Sequence, residues 1–151
     1  MQPYQRITKK QLGELLIERG VINHEQLKIG LETQKESGGL IGEILVELKF
    51  ATERDIAQAL TLQYGFPYLP LANYEIGSDV LLAVPENLCW KYILIPIDKI
   101  GKSLTLAMAN PTDLVAIEEV EKVTESQIQA FVSTSSEIKQ AIDQYYSHSN
   151  S

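Results

Sequence analysis

The chain has 151 residues, 44% of them hydrophobic and 22% charged, which supplies enough apolar side chain for a packed core and argues against a disordered chain. Its formal net charge of −7 leaves no basic footprint for neutralising phosphates, so DNA and RNA binding is disfavoured. A single cysteine, Cys89, and two histidines, His24 and His148, exclude an internal disulfide and give no metal-ligand spacing, and no apolar run reaches the roughly 18 residues of a membrane span.

The first half of the chain is a repeat. Residues 12–34 (LGELLIERGVINHEQLKIGLETQ) align with residues 41–63 (IGEILVELKFATERDIAQALTLQ) at an offset of 29 residues. Gly13/Gly42, Glu14/Glu43, Leu16/Leu45, Glu18/Glu47, Leu31/Leu60 and Gln34/Gln63 are identical pairs, and Leu12/Ile41, Leu15/Ile44, Ile17/Val46 and Leu27/Ile56 are conservative apolar ones. A repeat of this period is a copied supersecondary unit, and two copies are too few for a solenoid. Each copy reads as two short helices. Thr8-x-x-Gln11 is a capping-box signal for the first helix, which Gly20 closes. Asn23 caps the second helix with Gln26 three residues on, Leu27 and Leu31 share a face, and Ser37-Gly38-Gly39 ends it. In the second copy Thr52 is the cap, Ile56 and Leu60 share the face, and Gly65 is the stop.

Beyond residue 65 the pattern changes. Residues 66–77, with Pro67 and Pro70, read as an extended connection. Ser78 is expected to cap a short helix ending near Pro85, and residues 86–91 to add a helical turn. Residues 92–97 and 104–109 flank Gly101-Lys102-Ser103 in a strand–turn–strand pattern, where Pro96 signals an edge or a bulge. Asn110-Pro111-Thr112-Asp113 opens a helix bearing Leu114, Ile117 and Val120. Residues 128–132 form a short strand, and Ser135 or Ser136 opens a last helix reaching Tyr146. The expected fold class is therefore α+β. A four-short-helix unit of two helix-turn-helix repeats (1–65) is followed by the connection (66–77), a small β-β-α-β-α unit (78–146) and a polar tail (147–151).

The chain offers little for catalysis. Gly101-Lys102-Ser103 matches the end of a phosphate-binding loop, but Pro96 occupies the place of its first glycine and the triplet sits between strands instead of opening a helix. It reads as a hairpin turn, and no ATPase site remains. No G-x-S-x-G elbow is present, and Glu118-Glu119 reads as a solvated helix face. Neither an enzyme activity nor a cofactor is expected. Cys89, between Leu88 and Trp90, reads as a buried thiol. The start of the chain, with Arg6, Lys9 and Lys10 but no apolar core, is not a signal peptide, and the cytoplasm is the expected compartment.

The repeat is the informative feature. Two equal half-sites suit a ligand with two equal halves. Gly13 and Gly42 permit close approach to the backbone, Leu27, Leu31, Ile56 and Leu60 offer apolar surface for planar rings, and Gln34 and Gln63 can both donate and accept hydrogen bonds. On spacing alone, the alternative that these leucines are core and these glutamines are helix ends stays open.

The pattern resembles the N-terminal domain of type II secretion and type IV pilus assembly ATPases, including the version called the MshEN domain. That family carries tandem motifs of the form R-L-G, paired aliphatics, G, paired aliphatics, L, L and Q. The first spans residues 11–34 here, with Leu12, Gly13, Leu16, Ile17, Gly20, Val21, Ile22, Leu27, Leu31 and Gln34 matching. The second spans residues 40–63, with Ile41, Gly42, Leu45, Val46, Leu60 and Gln63 matching and Ile56 conservative. Phe66-Pro67-Tyr68, Val84-Pro85, Ile95-Pro96-Ile97, Ala107-Met108-Ala109-Asn110-Pro111 and Tyr145-Tyr146 extend the likeness over residues 8–146.

The resemblance implies a non-catalytic module without the ATPase domain, binding cyclic di-GMP along the two motifs through Gln11, Leu12, Gly13, Leu27, Leu31 and Gln34 of the first and Ile41, Gly42, Ile56, Leu60 and Gln63 of the second, with Asn110 contributing from the second unit. It departs from the motif at Gln11 and Leu40, where arginines are missing, and at Lys49, which replaces the counterpart of Gly20. Lys9 or Lys10 would supply only a point charge in place of an arginine fork. The alternative it implies is a protein-interaction module that docks on a secretion or pilus ATPase or an inner-membrane platform protein. On either reading there is no direct membrane insertion, although recruitment to the inner membrane through a partner fits both.

Overall fold

The computed structural model describes residues 10–72 and 74–148. These fall into two compact units, a helical one ending at Gly65 and a mixed one beginning at Phe66.

The helical unit reproduces the sequence repeat, with all four helix starts related by the 29-residue offset. Helices α1 (Leu12–Glu18) and α2 (His24–Ser37) are copied as α3 (Ile41–Glu47) and α4 (Glu53–Tyr64). The caps repeat as well. Asn23 accepts from Gln26 N while Gln26 accepts from Asn23 N, and Thr52 and Asp55 form the same capping box. Both first helices end in one hydrogen-bonding pattern: Gly20 N to Ile17 O and Val21 N to Leu16 O, then Lys49 N to Val46 O and Phe50 N to Leu45 O. This is a Schellman motif, which needs a left-handed residue after the cap. Gly20 supplies it at φ 74°, whereas Lys49 adopts φ 65° with a Cβ in place. Lys49→Gly is therefore expected to raise the urea midpoint of the helical unit, by about 1 kcal/mol in stability, because the strain of a left-handed side chain is removed. Thr8 lies outside the described residues, and α1 begins later than its capping box implies, at Leu12, with Gln11 as an N-cap that makes no side-chain capping bond.

Packing within this unit is reciprocal. Helix α1 lies chiefly on α4, and α2 on α3. Leu16 and its counterpart Leu45, both fully buried, meet Ile22 and Ala59 in the core. Each such leucine withdraws enough apolar surface to be worth about 1.5–3 kcal/mol.

The second unit holds α5 (Ser78–Leu81), α6 (Glu86–Tyr92), β1 (Leu94–Ile100), β2 (Ser103–Met108), α7 (Leu114–Thr124), β3 (Gln127–Val132) and α8 (Ser135–His148). The sheet order is β1-β2-β3, with β1 and β2 antiparallel and β2 and β3 parallel across α7. Gly101 (φ 59°) turns the hairpin, so Gly101 and Lys102 connect the strands and Ser103 opens β2. Pro96 sits on edge strand β1, beside a register shift between Pro96 and Asp98. Leu94, Ile95, Leu104, Leu106 and Met108 are fully buried, and Ile117, Val120, Ile138 and Ile142 from α7 and α8 complete the core.

Several boundaries differ from expectation. Gly77, not Ser78, caps α5, which stops at Leu81. Strand β1 starts at Leu94 because Ile93 takes a left-handed φ of 51° after α6. Helix α8 continues through residues 147 and 148, which the sequence reading assigned to a polar tail. Cys89 is buried, with its Sγ 3.5 Å from Tyr146 Oη. Burial pushes the thiol up to about 11, leaving it inert at neutral pH.

The connection beginning at Phe66 is fastened to the second unit. Leu69 N donates to Val132 O and Val132 N to Pro67 O. Glu137 accepts from Tyr68 Oη at 2.5 Å, Leu71 N at 2.9 Å and Thr134 Oγ1 at 2.9 Å. Burial alone would raise its carboxyl, but these hydrogen bonds outweigh it and hold it below the usual value of 4.5. A depressed folded-state value makes this contribution complete above the unfolded carboxyl range and lost as pH falls through the folded one. The urea midpoint is therefore expected to fall as pH drops below about 4.5, with a flatter profile in Glu137→Gln.

Candidate ligand-binding face of the helical repeats

Apart from Asn110, the residues expected to form the site occupy matched positions in the two copies. Gln11 and Leu40 are the exposed N-caps of α1 and α3. Leu12 and Ile41, the first helical residues, are half-buried. Gly13 and Gly42 are buried one residue later. A methyl group on Gly13 would lie 2.6 Å from Leu27 Cδ1, and one on Gly42 would lie 2.9 Å from Ile56 Cγ2 and 3.3 Å from Leu12 Cδ2. In this structure, then, the space the glycines leave is filled by Leu27 and Ile56, which are half-buried in consequence.

Leu31 and Leu60 stand one helical turn beyond Leu27 and Ile56. Leu31 is 43% exposed, whereas Leu60 is half-buried. Lys28 and Lys35, one turn to either side of Leu31, are also exposed. Their counterparts in the second copy are Ala57 and Tyr64, so only the first copy flanks its leucine with cations. The ammonium of Lys10 is paired with Glu18, and Lys9 lies outside the described residues.

The two glutamines have main-chain partners. Gln34 Nε2 donates to Gly39 O at 2.9 Å, and Gln63 Nε2 to Lys10 O at 3.2 Å. Donors and acceptors are both separated by the repeat offset. Each glutamine therefore holds the chain just before the first helix of the other copy. Gln34 is half-buried, but Gln63 is only 4% exposed. Asn110 belongs to the second unit, where its side chain accepts from Thr112 N at 3.3 Å and Thr112 Oγ1 at 2.6 Å. This is a local turn before Pro111.

Gly30 was not singled out from the sequence. A methyl group there would meet Leu45 Cδ2 at 2.8 Å and Ile41 Cδ1 at 3.2 Å, so it sets how closely α2 approaches α3. The available signal was a glycine inside a helical pattern, where it costs about 1 kcal/mol against alanine unless packing requires it. A cavity of about 380 Å³ in the second unit, lined by Leu71, Tyr74, Glu137 and Tyr145 among others, contains none of the expected site residues. Among the described residues, no cluster of His, Cys, Asp and Glu is arranged to hold a metal ion. No helix among them is long and apolar enough to cross a membrane.

Comparison with known proteins places the chain in a family. The family model for the MshEN domain matches residues 64–151. The type IV pilus assembly ATPase PilB of Myxococcus xanthus is 31% identical over 135 residues, covering 89% of this chain and 24% of that protein. The chain spans a quarter or less of the length of the curated relatives it matches. Among solved structures, MshE with cdg superposes with a TM-score of 0.79 at 27% identity, covering 91% of this chain and all of that one. The N-terminal domain of XpsE superposes at 0.76 with 22% identity, covering 91% and 99%, which speaks to the fold.

Proposed function

The chain belongs to the MshEN domain family, and on that premise we propose that it is a non-catalytic regulatory module of pilus or secretion machinery in the cytoplasm, whose helical repeats receive cyclic di-GMP. The observation that carries the ligand is the solved MshE structure, which holds cdg, read as cyclic di-GMP, on a chain alignable with 91% of this one. Here the apolar face of α2 around Leu31 packs a base, Lys28 and Lys35 flank the phosphates, and Gln34 offers its amide. The second copy contributes Ile41, Gly42, Ile56, Leu60 and Gln63 by the same plan, although Gln63 must leave Lys10 O to reach a ligand. Asn110 is proposed as a contact from the second unit. No bond is made or broken in the ligand.

The test is calorimetric titration of the whole chain with cyclic di-GMP, with GMP and cyclic di-AMP as controls. Selective micromolar binding supports the reading. The absence of heat and of any thermal shift turns it to the second reading, docking on a pilus or secretion ATPase or an inner-membrane platform component, which the missing arginines at Gln11 and Leu40 favour. If the lost cation limits affinity, Gln11→Arg tightens binding about tenfold or more, since a charge-assisted hydrogen bond contributes ~1.5–3 kcal/mol. An unchanged dissociation constant would remove the arginine position from the site.

A further inference from the structure

We propose that the α1–α2 half of the helical unit is an exchangeable arm whose alternative partner is the α3–α4 half of a second copy of this chain, with Gly38 and Gly39 holding that exchange in check. The contacts of the unit divide cleanly. Contacts of Leu27 on Gly13 and of Ile56 on Gly42 lie within one half and travel with it. The chief helix packings, α1 on α4 and α2 on α3, join one half to the other. So does the close approach of Gly30 to Leu45. Gln63 reaches across the halves to Lys10 O, and Gln34 crosses the link to Gly39 O.

A second copy offers every partner that joins one half to the other, because the surfaces exchanged are the same surfaces; only the Gln34–Gly39 bond, at the link itself, depends on the link's conformation. Two chains that trade arms form a closed, symmetric pair. What favours closure within one chain is the link between Ser37 and Ile41. Gly38 and Gly39 take φ of 72° and 95° there, with nothing within 4 Å of either Cβ position. Side chains at those angles are strained, so residues that prefer helix would straighten the link and carry α2 into α3.

The experiment is Gly38→Ala with Gly39→Ala in the full chain, followed by size-exclusion chromatography with light scattering and by circular dichroism. The proposal expects a dimer with wild-type helical content. A folded monomer with wild-type helical content overturns it. Should the double variant fail to fold, a pair of full-length chains decides the matter, one carrying Leu16→Asp and the other Leu45→Asp. Each spoils its own core, but refolded together the intact arm of the second meets the intact α3–α4 of the first. Recovery of helical signal together with a mixed dimer, seen for neither chain alone, supports exchange. Lack of both overturns it.

Discussion

Leu45→Ala is expected to melt the helical unit while the second unit stays folded. Leu45 is fully buried and faces Leu16, Ile22 and Ala59. Truncating such a leucine costs about 2–5 kcal/mol, from lost burial and from the cavity left behind. A unit of this size holds roughly 3–8 kcal/mol in all, at 0.05–0.15 kcal/mol per residue, so the loss is comparable with its whole stability. The single tryptophan, Trp90, lies in α6 of the second unit and serves as the probe of that unit. The expected result is a large loss of helical circular dichroism at 222 nm with little change in Trp90 fluorescence. Leu16→Ala should behave alike, because it removes the same contact from the opposite copy. A concerted loss of both signals would show that the two units unfold as one.

The sequence disclosed what depends on local chemistry. The 29-residue offset anticipates four helices in two matched pairs, since cap, apolar face and stop recur together. Asn23 and Thr52 cap as their polar side chains require, and Pro96 lies at an edge and a bulge because it cannot donate to a ladder. Non-local choices were not legible. Periodicity says which face of α1 is buried, but not that α4 covers it. Gly13 and Gly42 read as openings for a ligand, and only the packed structure shows Leu27 and Ile56 filling that space. Gln34 and Gln63 read either as ligand contacts or as helix ends, and only the structure shows their amides donating to Gly39 O, five residues on, and to Lys10 O, far away in sequence. For Glu137 the sequence carries only the local signal Thr134-x-x-Glu137, a capping box, whereas two further partners of its carboxylate, Tyr68 and Leu71, are far away in sequence. Ile93 moved the start of β1 because a branched residue in left-handed geometry is a tertiary outcome that no propensity foresees.

Leu31→Asp is expected to abolish cyclic di-GMP binding while leaving the fold intact, and it is the most direct test of the proposed face. Leu31 is 43% exposed, so its loss removes little from the core. In a bound state, however, the new carboxylate would be desolvated beneath a base and would face phosphate charge. An unpartnered charge in that setting costs about 3 kcal/mol or more, a hundredfold in affinity. Ile29→Asp is the matched control. Ile29 is similarly exposed, at 37%, but it stands two residues away and points to a different side of the helix. Binding lost in Leu31→Asp and kept in Ile29→Asp, with equal melting temperatures, would place the ligand on the face shared by Leu27, Leu31 and Gln34. Wild-type affinity in both would move the ligand off this helix. Loss in both would point to the overall charge of α2, because each variant adds one negative charge between Lys28 and Lys35. A salt titration then separates the cases, because a general charge effect fades as ionic strength rises whereas a desolvated carboxylate beneath a base does not.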